Sequence, residues 1–67
     1  MLADRAEVSW DEAKSKWQVR IENGEEVIRR HYDLPKSADD QALRSAALQT
    51  VRDEGYEIDP SKLTIRH

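Results

Sequence analysis

Arg20, Arg29 and His31 are the side chains best suited to chemistry in this chain, and the chemistry they suit is ionic. Lys14, Lys16 and Gln18 lie near them in the sequence, and Val27 adds an apolar contact beside them. Two guanidiniums and an imidazole on one surface would offer planar donors to a carboxylate or a phosphate. Charged side chains at outward strand positions are also ordinary solvated surface. Glu22, Glu25 and Glu26 sit close enough to neutralise part of such a patch. The candidate surface is therefore Gln18, Arg20, Val27, Arg29 and His31, and what it contacts is the question.

A catalytic centre is hard to assemble from this chain. His31 and Asp33 are two residues apart, but they bring no nucleophile and no third ligand. Ser9, Ser15, Ser37, Ser45 and Ser61 each have a cap, turn or surface explanation, and His67 is terminal. Metal binding would need more clustered His, Cys or carboxylate ligands than this. Gly24 and Gly55, the two glycines, are both required by backbone geometry, so no Gly-rich phosphate loop exists. No enzymatic activity, no metal and no cofactor are expected.

The elements that must position the arginines follow from periodicity. Trp17, Val19 and Ile21 alternate with Gln18, Arg20 and Glu22, the period-2 pattern of a half-buried strand. Asn23-Gly24 then suits a two-residue type I′ turn. That turn places Glu22 opposite Glu25, Val19 opposite Ile28, Arg20 opposite Val27 and Trp17 opposite Arg30. One face carries Trp17, Val19, Ile21, Ile28 and Tyr32. The other carries Gln18, Arg20, Glu22, Val27, Arg29 and His31. A loop from Glu12 to Ser15, closed by Asp11 and Lys16, puts Trp10 opposite Trp17 and Val8 opposite Val19. All three strands then agree on one apolar face, which makes both indoles core residues rather than bases' stacking platforms.

A helix should begin at Ser37, with Asp40 completing a capping box, and should end at Gly55. Leu43, Ala46, Ala47, Thr50 and Val51 form its apolar stripe. Lys62 to Arg66 alternate again as a fourth strand, entered through Asp59-Pro60. The expected fold is α+β in the order β-β-β-α-β. It is a four-stranded mixed sheet, an antiparallel meander plus a parallel C-terminal strand, with one helix on the tryptophan face. Whether the last strand joins the first or the third is left open by the sequence.

At 67 residues the chain makes a single domain, 1–67, with residues 1–5 expected to be disordered. Such a chain buries only about 60% of its unfolded surface, so its core is thin. It has no cysteine, and no apolar run nears the roughly 20 residues that span a bilayer. The N-terminus has no apolar signal-peptide core. A cytoplasmic protein with no membrane partner is expected. Its 14 acidic and 11 basic residues leave a net charge of −3, which disfavours a general polyanion binder.

Val8-Ser-Trp10-Asp11, Lys16-Trp17-Gln-Val-Arg20-Ile21 and Asn23-Gly24 resemble the sheet of AP2-type and phage-integrase N-terminal DNA-binding domains. Those domains set three strands before a helix and read DNA with sheet arginines and tryptophans. The resemblance, over about 25 residues, implies nucleic-acid binding through Arg20, Arg29 and Arg30. The chain departs from it in its acidity, its fourth strand, and Glu12, Glu22, Glu25 and Glu26. A non-catalytic protein-interaction or regulatory module, acting through the polar sheet face or a sheet edge, is therefore the first expectation. Nucleic-acid binding is the alternative. Homodimerisation through an edge strand, or through the Leu48 side of the helix, is expected as well.

Overall fold

The computed structural model describes residues 2–66. Strand β1 spans Arg5–Asp11, β2 Lys16–Asn23 and β3 Glu26–Tyr32; helix α1 spans Asp40–Asp53; and β4 spans Leu63–Ile65 after a 3-10 turn at Pro60–Lys62. The sheet order is β3-β2-β1-β4, with β1, β2 and β3 antiparallel and β4 parallel to β1. The fourth strand thus joins the first, so β1 and β2 become the central strands. Val8, Val19 and Ile21 lie on those two strands and are fully buried. Leu43, Ala47 and Val51 of α1 close over them. Alanine at position 47 lets the helix sit close to a sheet carrying bulky side chains, which keeps the interior filled.

The β1–β2 register pairs Trp10 with Trp17 and Val8 with Val19, as the loop length implied. Asp11 shapes that loop by accepting from the Ala13 and Lys14 amides. The β2–β3 register differs from the sequence expectation by two residues. Arg20 faces Arg29 rather than Val27, Trp17 faces Tyr32, and Ile21 faces Ile28. The turn is centred on Gly24-Glu25, not Asn23-Gly24. Gly24 takes φ +62° while Asn23 and Glu25 stay out of the positive-φ region, the type II′ pattern. Asp4 accepts a 2.7 Å hydrogen bond from the Gly24 amide and so helps hold the turn. The physical reason is on the buried face: this register sets Ile21 against Ile28 and Trp17 against Tyr32, instead of against Glu26 and Arg30. A two-residue shift keeps the period-2 parity, so both faces retain the expected residues.

Helix α1 is capped by Asp39, whose carboxylate accepts from the Ala42 amide at 2.8 Å, rather than by Ser37. Its C-terminus closes as expected on Gly55, at φ +86°. The Gly55 amide donates to Arg52 and the Tyr56 amide to Val51, a Schellman motif. Trp17 is 1% exposed, and its Nε1–H donates to the Pro35 carbonyl at 2.9 Å. Trp10 is only half-buried, packed edge-on against Trp17 with 5.4 Å between ring centres. β4 pairs no further along β1 than Val8, so Trp10 lies past the neighbour that would cover it. Residues 1–5 were expected to be disordered. Leu2 bridges to Glu57, Ala3 is 4% exposed and Arg5 opens β1, while Met1 lies outside the described residues. Among the described residues, no helix is long and apolar enough to cross a membrane.

Candidate functional site: the open face of the sheet

Helix α1 covers one face of the sheet and leaves the other open. Strand alternation places Arg5, Glu7, Ser9 and Asp11 of β1 on that open face, with Gln18, Arg20 and Glu22 of β2. Val27, Arg29 and His31 of β3 complete it. All five residues of the expected surface are therefore together. Cross-strand pairing sets Gln18 beside His31, Arg20 beside Arg29, and Glu22 beside Val27.

Most charges on this face are already matched. Glu22 is the hub: Arg5 donates to both of its oxygens, and Arg20 Nη2 lies 4.0 Å away. The hydrogen bond from Arg5 holds the Glu22 carboxyl below the usual carboxylate range. Arg66 stands 3.6 Å from Glu7 at the β4 edge. His31 meets Asp11 at 3.0 Å, reaching diagonally across β2, and that hydrogen bond lowers the Asp11 pKa. Asp33, the sequence neighbour of His31, pairs instead with Lys16 at 3.6 Å.

Among the described residues, one cation lacks a counter-ion, and one donor of another lacks an acceptor. Arg29 joins no ion pair among the described residues and is exposed. Arg20 is partly buried, and its Nε–H is shielded from solvent with no hydrogen-bond partner. A shielded donor without a partner carries a desolvation cost of about 1–3 kcal/mol. The two guanidiniums project from directly opposed positions, an arrangement of like charges that weakens a strand pair. Val27, 41% exposed, stands one pair further toward the turn. The centre of the face is thus a small cationic spot with an apolar flank, inside a ring of matched charges.

The geometry offers little else. Asp11 and His31 resemble the acid and imidazole of a proton relay, and Ser9 shares their face, but no hydrogen bond joins Ser9 to His31 among the described residues. No group of three or more His, Cys, Asp or Glu could hold a metal ion among the described residues. Sequence reasoning missed Asp11 as the partner of His31 and Arg5 as the main partner of Glu22. Both links depend on register, since Arg5 lies opposite Glu22 and Asp11 lies two strands from His31. Comparison of the chain with protein-family models, with curated proteins and with solved structures gives no match.

Proposed function

We propose that this chain is a small, non-catalytic interaction module whose open sheet face docks an acidic segment of a partner protein. The observation that carries this is the opposed pair Arg20 and Arg29, one with a shielded, unpartnered Nε–H and the other without an ion pair. One carboxylate between them would accept from the outer N–H groups of both forks and relieve their repulsion. Gln18 and His31 would border the bound segment on one side and Val27 on the other.

An acidic peptide fits better than a nucleic acid. Polyanion binding draws on many phosphate contacts and a positive field. Here Glu7, Asp11 and Glu22 lie on the same face as the cations, and the isoelectric point is near 5.3. A short-range contact with one or two carboxylates tolerates that background. A cytoplasmic setting agrees with the cysteine-free composition.

The test is a titration of an Asp/Glu-rich peptide, with single- and double-stranded oligonucleotides of similar charge alongside. Peptide binding near 100 µM is expected, on the order of a weak transient contact. Arg29→Glu should weaken it about 10-fold or more without lowering the melting temperature, since the new carboxylate would stand opposite Arg20. Oligonucleotide binding that is tighter than peptide binding and steeply salt-dependent would transfer the face to nucleic acid.

A further inference from the structure

A second surface lies beside the helix, away from the sheet arginines. A half-open groove of about 560 Å³ runs between the C-terminal half of α1 and the segment that leads to β4. Leu48 and Arg52 form the helix wall, Glu57, Ile58 and Pro60 the other wall with Asp59, whose carboxylate is held by the Ser61 amide and hydroxyl, and Leu2 also lines it. Leu2 is 65% exposed, the most exposed large apolar side chain among the described residues. Ile58 and Leu48 are only partly covered. The groove is therefore mixed, with Leu2, Leu48 and Ile58 as its apolar part and charged residues on both walls.

The rim charges indicate the occupant. Arg52 projects from the helix side and Glu57 from the facing segment, and both are exposed. Neither joins an ion pair among the described residues, although they border the same groove. We propose that a second copy of this chain docks here in a two-fold symmetric dimer. A two-fold axis through the groove brings Arg52 of one copy to Glu57 of the other, twice, and closes the Leu2 and Leu48 surfaces on each other. One surface supplies both signs of charge, so it is complementary to itself.

This dimer uses none of the residues of the proposed peptide site, so the two stand or fall separately. Sedimentation equilibrium of the full chain at low ionic strength, up to about 500 µM, is the test. The wild type should approach twice the 7.8 kDa monomer mass. Arg52→Glu and Glu57→Arg each place like charges across the axis twice, and each should weaken dimerisation about 10-fold. An equimolar mixture of the two variants should recover wild-type association, because every contact then pairs opposite signs. Both positions are exposed; Arg52→Glu also loses a favourable charge in the last turn of α1, so a thermal melt of each variant confirms that it is folded. A monomeric wild type would overturn the proposal, and so would a dimer indifferent to both substitutions. A mixture that stays monomeric would overturn it too.

Discussion

Trp17 and Trp10 share a face and a cross-strand pair, yet they do different work. Trp17 is sealed between sheet and helix with its N–H satisfied, whereas Trp10 keeps one side open, with the Lys36 ammonium 5.8 Å from its ring centre. Trp17→Ala should cost about 3–5 kcal/mol, close to the entire stability expected of so small a domain. Trp10→Ala should cost clearly less. Urea denaturation of both variants checks the order, and equal losses would contradict the burial difference. Tyr32 makes a second residue-scale prediction. Partial burial pushes its hydroxyl up to about 12, and it donates to the Leu43 carbonyl. Its folded pKa lies above the unfolded value of about 10, so its contribution is fully present below about pH 10 and is lost as pH rises toward about 12. The alkaline loss of stability over that window should shrink in Tyr32→Phe, and a Phe variant with the same alkaline profile would refute the assignment. At this scale the sequence made face membership legible through simple alternation. It did not make partners legible: His31 sits two residues from Asp33 but bonds Asp11, because Asp33 lies past the end of β3 and the strand register brings Asp11 to His31 across β2.

Secondary-structure elements were readable because each carries its own period and punctuation. The meander and the helix lie where the alternation and the apolar stripe put them. Their ends needed tertiary information. Asn23-Gly24 has the composition of a type I′ turn, but the apolar pairs Ile21–Ile28 and Trp17–Tyr32 decide the register and move the turn onto Gly24-Glu25. Likewise Ser37 begins a plausible capping box, while the helix actually starts from Asp39. Two substitutions check these assignments. Gly24→Ala meets no atom within 4 Å, so its cost is purely the left-handed backbone, about 1–2 kcal/mol. Asp39→Ala should lose about 1 kcal/mol from the missing cap, with Ser37→Ala near neutral. Thermal melts measure both, and a larger effect at Ser37 than at Asp39 would reassign the helix start. The neighbour of the last strand was not legible, because both β1 and β3 were edges that a parallel strand could join.

Over the whole molecule, the packing of one helix on one face divides the surface into parts with separate chemistry. The covered face takes up both tryptophans and, apart from Val27, the β-branched residues of the meander, and this leaves the arginines as the distinctive feature of the open face. Net charge alone pointed away from a cationic site. The register sets Arg20 and Arg29 opposite each other on the open face, where Arg29 joins no ion pair among the described residues and Arg20 stands 4.0 Å from Glu22. Backbone amide and arginine Nε chemical shifts, followed while an Asp/Glu-rich peptide is added to isotopically labelled protein, test this most directly. The largest changes should fall on Arg20 and Arg29 and spread to Gln18, Val27 and His31. Arg29→Glu should move them to about 10-fold higher peptide concentration without disturbing the spectrum away from the face. Shifts that cluster on the helix, or a spectrum unmoved by peptide at millimolar excess, would contradict the assignment of the open face as the binding surface.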